Sequence, residues 1–437
     1  MKKNSVKLSR EKVPAFLSHC STLFCARQLR NILVLVIFIL IMTGCGIKKS
    51  SDWVVFRGEG GKGYSSEKMY PPIGIKWQFK LQEGSARERH FNPPVVYQNT
   101  LYFGSSDSNF YALDISTGFM RWVYETRAPV NSVPYVDNEK VYFGSTDGYV
   151  YAVYHKTGDT AWEYFTGYPV NSTIIGYNDM IVFTTDTGAT HFFTKDGREI
   201  NSVPNYVWQN NSFQINNDVV YFMPGPPNDP YSLAAYSIPE NRYIWLVPTG
   251  NDGLIWYSFP AVAKNLLHYS SCGIAGSDFI YVYTCLDKKT GAVVWKELEL
   301  SSLFEIRDYD PFELFWENIT LLDYMAPAIW KNYVIYAPGN NSVKAFASSS
   351  GKKVWEKWFE FPVSSAPTVA DSRVYLGTRK SPYGDVPPYL VCLDAASGKV
   401  LWKIETEGDI LGSPVIAGKW IIFGTDENYV YVLEKLF

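Results

Sequence analysis

Apolar residues in this chain arrive in short runs cut by turns. Leu101-Tyr102-Phe103-Gly104 leads into the turn Ser106-Asp107-Ser108-Asn109, and that turn leads into the run Phe110 to Asp114. A Thr-Gly turn then opens a last run ending at Trp122. Runs this short, bounded by Ser, Asp, Asn and Gly, predict strands joined as antiparallel hairpins. Glycine suits the Thr-Gly turn because tight turns often need a positive φ, which a Cβ makes costly.

The pattern repeats. YALDISTGFMRW (111–122) returns as YAVYHKTGDTAW (151–162), TCLDKKTGAVVW (284–295), KAFASSSGKKVW (344–355) and VCLDAASGKVLW (391–402). AAYSIPENRYIW (234–245) has Asn241 in the Gly place, and THFFTKDGREIN (190–201) keeps Gly197 but loses the Trp. The second position of the unit is Ala112, Ala152, His191, Ala235, Cys285, Ala345 or Cys392. The closing Trp falls at 77, 122, 162, 245, 295, 355 and 402, with Asn201 in the gap. Four short strands, A to D, recurring at about this period predict an all-β propeller with four-stranded antiparallel blades. The last unit, TDENYVYVLEKLF (425–437), reaches strand C and stops, whereas Gly74 to Trp77 forms a strand D with no unit before it. Pairing these two segments closes the ring and removes two sheet edges. The count is eight blades, or seven if the weak unit at Asn201 merges with a neighbour.

The first 44 residues depart from this pattern. Seven Lys or Arg residues face one acid, Glu11, and precede an uninterrupted apolar run, Ile32 to Met42. Eleven residues are too short to cross a bilayer but suit a signal-peptide core. Met42-Thr43-Gly44-Cys45 follows at once and resembles a bacterial lipobox, which implies cleavage before Cys45 and its lipidation. The domain reading is therefore a lipoprotein signal peptide over 1–44, a tether and lead-in over 45–70, and the propeller over 71–437. The Gly-rich run Gly58 to Gly63 fits that tether, because it lacks phosphate-loop spacing. Without its signal the chain has 33 basic and 42 acidic residues, a net charge near −9 that disfavours nucleic-acid binding. An exported chain leaves a disulfide between Cys272 and Cys285 open, though the cysteines are too few to define the fold.

Catalytic and metal motifs are missing from the sequence. The five histidines show no metal-ligand spacing, and His155 and His191 read as structural. No nucleophile elbow, phosphate loop or dinucleotide fingerprint occurs. No catalytic, cofactor-binding or metal residue is expected.

The repeat residues resemble the PQQ-like β-propeller family, whose AxDxxxGxxxW pattern matches Ala112, Asp114, Gly118 and Trp122. Trp53-Val54-Val55-Phe56-Arg57-Gly58 likewise resembles the W-x-x-F-R-G lead-in before such propellers. The resemblance implies that Trp77, Trp122, Trp162, Trp245, Trp295, Trp355 and Trp402 dock on the small residue and Gly turn of a neighbouring blade. It also implies that Cys285 and Cys392 are packing residues. With its lipidation signal and eight blades, the chain is similar to the BamB-type lipoproteins of outer-membrane β-barrel assembly. That similarity implies a monomeric, non-enzymatic scaffold that binds protein partners at the periplasmic face of the outer membrane. Gly46 agrees, since it is not the Asp associated with inner-membrane retention. Quinoprotein dehydrogenases share the repeat, so a PQQ-dependent enzyme is one alternative and a ligand- or glycan-binding sensor another. Enzymes of that kind typically carry an adjacent Cys pair, an acidic Ca²⁺ cluster and a catalytic Asp. This chain has no adjacent Cys pair, and Asp114, Asp287 and Asp394 recur at one blade position where turn capping accounts for them.

Function is expected where the repeat breaks. The longest insertion is the D–A connection Leu298 to Tyr324, in which Asp310-Pro311 predicts the start of a short helix reaching Trp316. The B–C loops Met223 to Tyr231 and Arg379 to Pro388, and the D–A link Thr249 to Phe259, fall on the same face of consecutive blades. Leu303, Phe304, Phe312, Phe315 and Trp316 are expected chiefly as a satellite core over the blade ends. The candidate partner surface is Phe304, Tyr309, Phe312, Phe315 and Trp316, aromatic types that are enriched at interfaces.

Overall fold

The computed structural model describes residues 52–81, 92–186, 189–204, 212–223, 232–248, 254–275, 278–302, 310–319 and 321–436. Cys45, Leu303, Phe304, Tyr309, and residues 224–231 and 249–253 of the two connections lie outside the described residues. Eight sheets form, one per predicted blade. Blade 1 consists of Val95–Tyr97, Thr100–Gly104, Asn109–Asp114 and Met120–Glu125 as strands A to D. The D strands of blades 2, 3 and 4 are Thr160–Phe165, Glu199–Pro204 and Arg242–Pro248. Blades 5, 6 and 7 end on Val293–Ser302, Lys353–Trp358 and Val400–Glu405. Blade 8 is the predicted composite, in which Val415–Ala417, Trp420–Gly424 and Tyr429–Lys435 are completed by Ile73–Lys80. Trp77 pairs with Val432 across that closing ladder.

Burial follows the order of strands. Strands A to C of blade 1 are almost wholly buried, whereas its strand D alternates exposed and half-buried residues. Strand A therefore lines the ring axis and strand D its rim. The A–B and C–D turns emerge on one face, called the turn face below, and the B–C and D–A connections on the other, the loop face.

The Trp of each D strand docks on the next blade. Its indole N–H donates to a C–D turn carbonyl: Trp77 to Ile115, Trp122 to His155, Trp162 to Lys195, Trp245 to Lys288, Trp295 to Ser348 and Trp355 to Ala395, all at 2.8–3.1 Å. The turn glycine lies under the indole. At Gly158 φ is +79°, and a Cβ would stand 2.8 Å from Trp122. Gly158→Ala is therefore expected to cost about 2 kcal/mol, from left-handed strain plus overpacking. A shift in the urea midpoint without a change in slope would measure this loss. Trp402 is the exception: its indole nitrogen is buried with no partner, because blade 8 takes strand D from Ile73–Lys80 and has no C–D turn.

Three sequence expectations need correcting. The small residue does not sit in the neighbouring blade's dock; it faces the Trp of its own blade across the C–D ladder, as Ala112 faces Trp122 and Cys392 faces Trp402. In blade 3 the C–D turn is one residue shorter, so Phe192, and not His191, occupies this position opposite Asn201. His191 instead pairs with Glu199 at 2.8 Å. A disulfide between Cys272 and Cys285 does not form, and both thiols are free and buried. Cys272 pairs with Tyr281 and Cys285 with His268, four residues apart along the ladder. At ~3.4 Å per residue that is about 14 Å, far beyond disulfide reach.

The third correction concerns the tether. Residues 53–65 run across the ring as a strap. Trp53 exchanges two 2.8 Å backbone hydrogen bonds with Val96 of blade 1, and Val136 N–H of blade 2 donates to Val54. Phe56 meets Phe259 of blade 5 edge-on, with ring centroids 4.8 Å apart. Ile329 of blade 6 and Val369 of blade 7 donate to the carbonyls of Lys62 and Gly63. Tyr64–Ser65 then adds a parallel strand to Thr368–Ala370. The glycines serve close approach here, since a Cβ on Gly63 would lie 2.3 Å from Arg57 Nη2. Arg57 itself is 1% exposed. Its Nη2 donates to the carbonyls of Ala326, Pro327 and Pro367 at 3.3, 2.8 and 3.0 Å, and its Nη1 lies 3.9 Å from Asp323. Burial lowers the guanidinium pKa to about 10 against the opposing pull of Asp323.

Candidate partner surface

Blade 5 is taller than its neighbours. Strands B, C and D, Leu266–Ala275, Asp278–Asp287 and Val293–Ser302, are each ten residues long and project beyond the loop face. The insertion therefore starts after Ser302 and not at Leu298. Sequence reasoning missed this extension, although the long step from Trp245 to Trp295 was its signal.

The insertion contains helix α1, Pro311–Ile319, one turn longer than expected. Asp310 caps it as predicted, its carboxylate accepting from Phe312 N at 2.9 Å and Glu313 N at 3.2 Å. The inward side of α1 holds Leu314, Phe315, Asn318 and Ile319, all buried. Phe315, 2% exposed, stacks on Phe279 of the projecting hairpin at 5.2 Å and 13°. It belongs to the core and leaves the candidate surface, because the helical period sets it with Ile319 against blade 5. Phe312 and Trp316, four residues apart on the outward side, are 45% and 52% exposed. The satellite core and the exposed aromatics are thus two sides of one helix.

A charged tie holds α1 to blades 7 and 8. Arg379, at the mouth of the B–C loop of blade 7, donates to Glu317 at 2.9 Å and to Asn318 at 3.0 Å. The same guanidinium lies 3.6 Å from Asp409 in the D–A connection of blade 8. Asp409 also accepts from Lys380 N at 2.7 Å, while its own N–H donates to Asp426. Burial pushes the Asp409 carboxyl up to about 6 despite Arg379, and nearby Asp426 adds to the rise. Beyond this tie the loop presents Tyr383, 75% exposed. The loop's length was legible in the sequence, but its bond to the helix was not.

Other singled-out residues prove structural. The Asp287 carboxylate accepts from Thr290 and Lys289 in its turn, and these bonds hold it below the usual carboxylate range. Asp114 and Asp394 bind their own turns in the same way. His155 is buried in the Trp122 dock, and burial lowers its pKa. Among the described residues no three His, Cys, Asp or Glu side chains gather closely enough to hold a metal ion. The described cysteines are free, so these residues do not fit the acidic cluster and Cys pair of a quinone–calcium site.

Comparison with solved structures places the fold among propellers of differing roles. BamB from Moraxella catarrhalis superposes with a TM-score of 0.59 at 14% identity, over 83% of this chain and 99% of that one. The quinohemoprotein alcohol dehydrogenase ADHIIG from Pseudomonas putida HK5 gives 0.64 at 14% identity, over 89% and 81%. The computationally designed Ika8 protein gives 0.59 at 13%, over 81% and 99%. No curated protein matches the sequence significantly. Identities this low speak for the fold alone. The family model described as outer membrane protein assembly factor BamB matches residues 74–297, 280–385 and 339–436, nearly the whole ring. The chain therefore belongs to the BamB outer-membrane assembly factor family.

Proposed function

We propose that this propeller is a lipid-anchored, non-enzymatic scaffold that binds protein partners during outer-membrane protein assembly, tethered through Cys45 at the periplasmic face of the outer membrane. The observation that carries the reading is the exposed pair Phe312 and Trp316 on a helix clamped by Arg379, within a chain of this family. Aromatic anchors on a rigid support bind at low entropic cost, which suits partner capture. A photo-crosslinker at Trp316, activated in intact membranes and followed by mass spectrometry, is expected to recover envelope proteins. Deleting 303–318 is expected to leave the propeller folded, though less stable for want of Leu314 and Phe315, and to weaken that capture. Unchanged co-purification with membrane partners would reject the binding role. Dye-linked dehydrogenase activity on adding PQQ with Ca²⁺ would replace the scaffold with an enzyme.

A further inference from the structure

Charge is divided unevenly between the two faces of blades 5 to 8. Their A–B and C–D turns expose Lys264, Lys289, Lys331, Lys352, Lys399 and Lys419. Four carboxylates share these turns and are outnumbered by the lysines: Asp287 and Asp394 cap their own turns, Asp371 accepts from Tyr70, and Glu434 is held by Lys76 and Lys419. The loop face of the same blades instead exposes Glu313, Asp385 and Glu407, while its Glu317 and Glu427 pair with Arg379 and Lys380. The turns of blades 1 to 4 do not extend the basic patch, since Asp159, Asp179, Asp218 and Glu240 offset their cations. The patch is thus local, and it faces away from α1.

The strap meets the ring on this same face. Trp53 joins Val96 near the A–B end of blade 1. Only seven residues of chain lie between it and Cys45, a span of roughly 27 Å at full extension. We infer that the turn face of blades 5 to 8 rests on an anionic phospholipid surface, leaving the loop face and α1 turned away from the membrane. For its source of membrane proximity this rests on the lipid anchor at Cys45. The net acidity of the exported chain disfavours nucleic acid as the occupant, whereas a tether this short delivers the basic turns to lipid headgroups. Each lysine near an anionic surface strengthens association roughly fivefold at low salt, an effect lost beyond a Debye length.

The test uses the full chain with Cys45→Ser, which separates this contact from the anchor. It is mixed with vesicles of phosphatidylcholine alone or with added phosphatidylglycerol, at low and high salt, and floated on a gradient. Greater flotation with phosphatidylglycerol is expected, reversed by salt. Lys264→Glu, Lys289→Glu and Lys331→Glu together should reduce that gain about tenfold or more. The corresponding Lys→Gln triple, with an unchanged melting temperature, should reduce it less. Lys357→Glu, Lys380→Glu and Lys403→Glu, away from the turn face, should leave it unchanged. Equal flotation on both vesicles, indifference to the turn-face substitutions, or equal loss from the second set would overturn the proposal. So would tighter, equally lysine-dependent binding to heparin than to vesicles, which would make the patch a general polyanion site. Failure of the anchor reads out separately, as wild-type protein that leaves the membrane fraction without any change in these vesicle results.

Discussion

Replacing Arg57 with Leu is expected to lower the unfolding free energy by about 3–5 kcal/mol, the largest loss of any single substitution in the strap. Three carbonyls, of Ala326, Pro327 and Pro367, would lose their donor, and Asp323 would keep a buried carboxylate without its cation. Stranding buried polar groups costs more than the pair contributes when intact. The expected result is a lower urea midpoint, together with faster exchange of the Ile329 and Val369 amides that donate to the strap. Arg57→Leu combined with Asp323→Asn should recover part of the loss, because no buried charge then remains. Arg57→Lys should fall between, since an ammonium cannot reproduce the guanidinium fork. A midpoint within experimental error of wild type would show that the strap is dispensable.

Phe312→Ser with Trp316→Ser is expected to abolish partner capture while leaving the melting temperature close to wild type. Both side chains are about half exposed, Phe312 touching Phe279 only edge-on at 6.3 Å, and the buried side of α1, Leu314, Phe315 and Ile319, is untouched. Aromatic anchors at an interface centre commonly contribute ~2–4 kcal/mol each, so the pair could lower affinity at least a hundredfold. Phe315→Ser is the informative contrast. It should destabilise the protein by about 3 kcal/mol through loss of the Phe279 stack, and affect capture only through folding. If Phe312→Ser with Trp316→Ser captures partners as wild type does, the binding surface lies elsewhere, and Tyr383 on the neighbouring loop is the next to replace.

The ring was legible because its signals are local. Strand, turn glycine and Trp recur within twelve residues, and each follows from backbone sterics or from burial of one aromatic side chain. Asn201 and Asn241 mark where local reading stops. Each looked like a separate lapse in the repeat, yet Asn201 Nδ2 donates to Asn241 Oδ1 at 2.8 Å, at the position of a Trp–Gly dock. The two substitutions are one replacement, spread across two blades, of a hydrophobic dock by a hydrogen bond. Phe315 and Trp316 make the same point within one helix. Composition marks both as anchors, and only the direction in which α1 meets Phe279 sends one inward.

By itself the sequence determined an eight-bladed, all-β ring, its closure by Ile73–Lys80, and the short capped helix in its longest insertion. These depend on interactions between neighbours in the chain or on a period counted along it. The tertiary structure decided that the Gly-rich lead-in is a strap across the axis, that Arg57 reaches carbonyls about 270 and 310 residues away, and that Arg379 clamps α1. Such contacts join segments remote in sequence; the partners of the strap and of Arg57 are mostly backbone carbonyls, which every residue carries alike, and those of Arg379 are ordinary polar side chains some thirty to sixty residues away. No local pattern of side chains announces either kind.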